Sequence, residues 1–82
     1  MWAKLQKTIG SKRQRHLVDL LVKKREAKGL TQTELAKKLR QHQSFVARLE
    51  SGQRRVDIIE LLDIADALEF DPAKLIADLR QR

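Results

Sequence analysis

Apolar residues recur along this chain at the three- and four-residue spacing of amphipathic helices, and polar residues fill the positions between them. Beyond the first ten residues nothing alternates with the period of two that a strand requires. Leu17, Leu20 and Leu21, flanked by Val18 and Val22, give the first apolar face. Ser11 and Gln14 stand before it in the S-x-x-Q order of a capping box, which satisfies backbone N–H groups at a helix start. Gly29 stands after it and can take the left-handed conformation that closes helices. Lys23, Lys24, Arg25 and Lys28 fill the last turns, where the helix dipole favours cations. A helix over about 12–28 is predicted.

Thr31 and Glu34 form a second capping box ahead of Leu35, Ala36 and Leu39. That helix, about 32–39, has only two turns, because Arg40-Gln41-His42 breaks the apolar spacing. A third short helix, about 43–51, turns Val46, Leu49 and Phe45 inward and is closed by Gly52. Asp57 and Glu60 resemble a third box, opening a helix over 57–68. Within it Ile58, Leu61, Leu62, Ala65 and Leu68 fall inside an arc of about 120°, and Ile59 lies outside that arc. Asp71-Pro72 supplies a cap and a first-turn proline for a fifth helix, about 72–80, with Leu75, Ile76 and Leu79 inward. The class is therefore all-α, with one five-helix domain over 12–82 and an N-terminal extension over 1–11.

Charge is divided along this pattern. The 82 residues carry a formal net charge of +7. Residues 1–55 hold 15 Lys/Arg against 4 Asp/Glu, a net of +11, whereas residues 56–82 hold 3 against 7, a net of −4. A basic half favours polyanions such as nucleic acid or an anionic membrane. The basic residues are spread over three helices and not gathered on one amphipathic face, which argues against membrane-surface binding. With no cysteine there are no disulfides, thiolate sites or cysteine nucleophiles. His16 and His42 are far apart in the chain, so no metal site is expected. No apolar run approaches the roughly 20 residues that span a bilayer, and Met1–Gly10 lacks the apolar core of a secretory signal. A cytoplasmic location is expected.

Two short helices joined by a three- or four-residue turn are a helix-turn-helix candidate. The residues in them carry a resemblance. Leu30-Thr-Gln-Thr-Glu-Leu-Ala-Lys-Lys-Leu39 resembles the opening of the helix-turn-helix of the XRE family, the Cro and phage-repressor type of regulator. Gln43-Ser-Phe-Val-Ala-Arg-Leu-Glu-Ser-Gly52 resembles its recognition helix and closing glycine, and Leu61-Leu-Asp-Ile-Ala-Asp-Ala-Leu68 resembles its fourth helix. The resemblance covers about residues 17–79 and implies a lambda-repressor-like DNA-binding domain. A bacterial or phage-derived, nucleoid-associated origin would follow.

Carried over by position, the resemblance puts the 43–51 helix in the major groove, with its first residues against base edges. Gln43 can bond adenine N6 and N7 as a bidentate pair. Ser44, Ala47 and Arg48 are the further base-contact candidates, Ala47 toward a thymine methyl and Arg48 toward guanine or phosphate. Thr31 and Gln32 at a helix start, His42 before the recognition helix, and Arg54 and Arg55 after it are candidates for phosphate. Lys37 and Lys38 are secondary candidates. Each of these polar residues also has a plain reading as solvated surface. Arg25 and Glu50 match two positions that form an ion pair between the first and third helices, holding the recognition helix without reading DNA. The chain departs from the family pattern at Arg40, Glu69 and Val56, where glycine, glycine and proline are common.

The resemblance further implies a homodimer on a palindromic operator, acting as a repressor or activator of transcription. Candidate interface residues are Ile59 and, in the extension, Trp2, Leu5 and Ile9, whose helical spacing equally suits a cover for the core. An alternative is the antitoxin of a toxin–antitoxin pair, which binds a small protein partner as well as its own promoter. An enzyme is not expected: no nucleophile–base pair and no glycine-rich phosphate loop stands out. Neither a cofactor nor a small-molecule ligand is expected.

Overall fold

The computed structural model describes residues 11–81. Five helices follow one another, α1 (Lys12–Ala27), α2 (Gln32–Lys38), α3 (Gln43–Glu50), α4 (Ile58–Leu68) and α5 (Pro72–Arg80). Among the described residues there is no strand. No helix there is long and apolar enough to cross a membrane. The closest-packed pair is α2 with α3, while α1 rests on α3 and α5, and α5 on α4.

The starts of these helices are written in the sequence. The Ser11 hydroxyl accepts the Gln14 N–H at 3.1 Å. Thr31 and Glu34 complete a reciprocal box, as do Asp57 and Glu60. Accepting the Thr31 backbone N–H, and then its side-chain contact, holds the Glu34 carboxyl below the usual carboxylate range. Asp71 accepts the Ala73 N–H at 2.9 Å, with Pro72 in the first turn. His42 stands at the α3 cap but makes no side-chain capping bond.

The helix ends share one device. After α1, α2, α3 and α4 a residue enters the left-handed region: Gly29 at φ +70°, Arg40 at +57°, Gly52 at +79° and Glu69 at +59°. In each case the following N–H reaches back five residues. Leu30 bonds the Arg25 carbonyl, Gln41 that of Ala36, Gln53 that of Arg48 and Phe70 that of Ala65, at 2.9–3.3 Å. This is the Schellman closure, which satisfies carbonyls left over at a helix end. Two of the four positions are glycine and bear it without strain. Arg40 and Glu69 carry a Cβ there, at a cost of roughly 1–2 kcal/mol each. Glu69 is tied by its 2.6 Å ion pair to Lys28, whose ammonium holds the Glu69 carboxyl below its usual range.

The core forms where these helices meet. Leu21 from α1, Leu35 and Ala36 from α2, Val46 and Leu49 from α3, Leu61, Ile64 and Leu68 from α4, and Leu75 from α5 make one buried cluster. Two inner faces differ from those expected. On α4 the buried arc is Leu61, Ile64, Ala65 and Leu68, while Ile58 is 56% and Leu62 42% exposed. Ile64 and Leu61 face the bundle, and that rotation carries Ile58 and Leu62 to the rim beside Ile59, which is 63% exposed. On α5 Leu75 is buried and Leu79 half-buried, but Ile76 is 42% exposed.

Replacing Arg40 by glycine relieves a left-handed Cβ residue in the turn between α2 and α3. The gain of roughly 1–2 kcal/mol is partly offset by the greater freedom of glycine in the unfolded chain, about 0.4–1 kcal/mol. Arg40→Gly is expected to raise stability by up to about 1 kcal/mol, a few degrees in Tm for a domain of this size, whereas Arg40→Ala is not. Urea and thermal unfolding of the two variants beside the wild type check this.

Candidate nucleic-acid interface

The start of α2 and the start of α3 are brought together by the turn at Arg40, and the side chains there are linked in series. Arg25 projects from the last turns of α1. Its Nε donates to Glu50 Oε2 at 2.7 Å and its Nη2 to Glu50 Oε1 at 2.9 Å, the two-pronged geometry that suits guanidinium to carboxylate. Its Nη1 donates to the Leu30 carbonyl at 2.7 Å, in the link between α1 and α2. The two side chains are only 13% and 9% exposed. Hydrogen bonding to Glu50 raises the pKa of Arg25 above its already high value, against the opposing effect of burial.

The series continues outward. Gln32 Nε2, on the first turn of α2, donates to Glu50 Oε1 at 3.0 Å. Gln43 Nε2, on the first turn of α3, donates to Gln32 Oε1 at 2.7 Å. Gln32 is half-buried and Gln43 exposed, so the network runs from the interior to the surface and ends on the helix expected to read DNA. Ser44 and Arg48 are exposed on the same helix, Ala47 is half-buried, and Val46 and Leu49 anchor the opposite side in the core.

The phosphate candidates divide into two groups. Thr31, His42 and Arg55 are exposed. Thr31 also caps α2, its hydroxyl accepting the Glu34 N–H at 3.1 Å. Arg54 is occupied differently from the clamp expected of it. Its guanidinium lies 4.7 Å from the Phe45 ring centre, and Nη2 donates to Glu60 Oε2 at 2.8 Å. An aromatic face on α3 and a carboxylate on α4 draw this arginine inward, where it pins the loop between the two helices. The same loop is held from the other side by Gln14, a buried side chain whose Nε2 donates to the Arg54 carbonyl at 3.2 Å. Sequence reading missed this role for Gln14 and Glu60, whose capping patterns were their visible signal. Trp2, Leu5 and Ile9 lie outside the described residues.

Among the described residues no three His, Cys, Asp or Glu side chains come together to hold a metal ion. A surface hollow of about 650 Å³ lies between the end of α2 and α4. Its walls mix Lys28, Lys38 and Arg40 with Asp63, Asp66 and Glu69. Such balanced charge selects neither an anion nor a cation.

Comparison with known proteins follows the same lines. A helix-turn-helix family model matches residues 21–75. Among solved structures, an XRE-family like protein from Pseudomonas syringae pv. tomato is 42% identical, with 94% of this chain and 94% of that one covered and a TM-score of 0.82. The clp gene regulator ClgR from C. glutamicum is 25% identical, with 87% of this chain and 92% of that one covered and a TM-score of 0.75. No curated protein sequence matches the chain.

Removing one partner of the Arg25–Glu50 pair strands the other charge in a site with little water. Glu50→Ala is expected to cost about 3–5 kcal/mol of stability, much of what a small domain has. Replacing both partners with apolar residues of similar size, Arg25→Met with Glu50→Leu, should cost far less, because no charge is stranded. Urea unfolding of the single and double variants gives both values, and a double variant as unstable as the single would contradict the stated cause.

Proposed function

The chain belongs to the XRE family of helix-turn-helix DNA-binding regulators, and from that premise we propose that it reads a specific double-stranded operator as a homodimer, with α3 in the major groove. The observation that carries this reading is the side-chain series ending at Gln43. A base-reading residue needs to be exposed at its tip and fixed at its root, and Gln43 combines exposure with a 2.7 Å bond to Gln32. Its free amide edge suits adenine, whose N6 donates and N7 accepts in the major groove. Ser44, Ala47 and Arg48 follow on the groove-facing side. Thr31, Gln32, His42 and Arg55 contact phosphate and set the register, while Arg54 braces the loop that carries Arg55.

The homodimer reading draws on α4. Ile58, Ile59 and Leu62 are neighbours by helix geometry and all are largely exposed, on the acidic half that has no use against DNA. A second copy covering this face would supply the two-fold pair that a palindromic site calls for, whose half-sites lie about 34–36 Å apart, one turn of duplex. The regulator acts by occupying that site, and no catalytic step is required of it.

Selection of bound duplex from a random library at about 150 mM salt, followed by anisotropy titration, tests the reading. Wild type is expected to enrich a palindrome, and Gln43→Ala to relax one position in each half-site at a cost of about 1–3 kcal/mol per contact. Arg55→Ala is expected to weaken binding to all sequences alike and to lower the salt slope by about one. Failure to enrich any sequence, with steeply salt-dependent binding in all variants, would leave only the phosphate contribution and defeat the proposal.

Sedimentation at tens of micromolar tests the dimer separately. Wild type is expected to run at twice the monomer mass and Ile59→Lys at the monomer mass, because a charge placed on a covered apolar face is stranded there. Wild type running as a monomer, alone and on DNA, would contradict it.

A further inference from the structure

The direction of each bond in the Glu50–Gln32–Gln43 series follows from chemistry. An ionised carboxylate only accepts hydrogen bonds. Glu50, paired with Arg25, therefore obliges Gln32 to turn its NH2 inward, as the 3.0 Å contact requires. An amide with its NH2 directed one way has its oxygen directed the other. Gln32 Oε1 must then face Gln43, and only the Gln43 NH2 can meet it, at 2.7 Å. The orientation of Gln43 is thereby settled two links away from the groove. What remains for DNA is the Gln43 oxygen and one N–H.

We infer that Glu50 is a positioning residue for base choice: by fixing both amides, it makes Gln43 present an acceptor beside a donor, and so selects adenine over guanine. Adenine offers a donor at N6 and an acceptor at N7, which match that edge, whereas guanine offers two acceptors, O6 and N7. Glu50 performs this from the last turn of α3, with its side chain 9% exposed. The inference rests on the reading of Gln43 as a base contact and adds what determines the base it reads.

Glu50→Gln removes the single sense of the series while keeping the shape. A glutamine at 50 has one oxygen for the three donors that the carboxylate accepts, Arg25 Nε, Arg25 Nη2 and Gln32 Nε2, so either orientation of its amide sets an N–H against a donor. With its NH2 toward Gln32, Gln32 turns its oxygen inward and its NH2 outward, Gln43 turns its oxygen toward Gln32, and two N–H donors face the groove; with its oxygen there, the original sense is kept, so Gln43 presents both edges. Gln32→Leu instead removes the middle link and leaves the Arg25–Glu50 pair in place, so it serves where Glu50→Gln folds poorly. The experiment measures anisotropy affinities for the selected duplex and for the same duplex with adenine replaced by guanine at the position that Gln43→Ala relaxes. Circular dichroism on each variant reports folding.

Wild type is expected to prefer adenine about ten-fold or more, within the range of one bidentate contact. Glu50→Gln is expected to lower that ratio, and Gln32→Leu to bring it near one. A purely structural role for Glu50 would lower affinity for both duplexes equally and leave the ratio unchanged. If Gln43→Ala relaxes a position while both other variants keep the wild-type ratio there, the inference is wrong and Gln43 remains a base contact. If Gln43→Ala relaxes no position, the reading of Gln43 falls and the inference with it.

Discussion

One guanidinium holds the parts of this domain in register. Arg25 leaves α1, closes on both oxygens of Glu50 in α3, and bonds the Leu30 carbonyl in the link to α2. Three helices are thus referred to a single planar group with a fixed fork of donors. Burying such a pair brings little net stability, since desolvation offsets much of the attraction. Its contribution is geometric. A guanidinium accepts few arrangements of its acceptors, so the angle and height of α3 relative to α1 are narrowly defined, and the polar series from Glu50 to Gln43 inherits that definition.

The ends of the helices do complementary work. Four Schellman closures allow short helices to follow one another with links of only a few residues. In a chain with few glycines, two of those closures fall on Arg40 and Glu69, and the strain there is carried by the packing around them. The loop after α3 has no such closure at its far end. It is held instead by Gln14 from α1 and by Arg54 lying between Phe45 and Glu60. The elements expected to meet DNA are therefore all supported from behind, as preorganised binding demands.

Much of this was legible in the sequence, and what was not has a common cause. Helix order, the boxes at Thr31 and Asp57, and the closures at Gly29 and Gly52 depend on residues within a few positions of each other, and all could be read directly. Arg40 and Glu69 carry no local signal for a left-handed turn; only the likeness to a family with glycine at those positions marked them. Periodicity places the inner face of α4 one step off, because Ile58 and Leu62 join Leu61, Ala65 and Leu68 in an arc about as well as Ile64 does, and periodicity does not say against what the helix will pack. Arg54 shows the same limit in the site. A basic residue after a recognition helix suits phosphate, and its capture by Phe45 and Glu60 depends on contacts across two helices. The pairing of Arg25 with Glu50, 25 positions apart, was accessible through the family pattern alone.

In the free protein α3 is already held by the Arg25–Glu50 pair and Gln43 by Gln32, so the proposed reading surface needs no rearrangement to meet DNA. A crystal structure of the protein on its selected duplex tests this. The expected result is α3 in the major groove, with the Gln43 amide against a base edge and the Gln32–Gln43 and Arg25–Glu50 contacts unchanged. A complex in which another face meets the DNA, or in which Glu50 has parted from Arg25 to let α3 move, would contradict it.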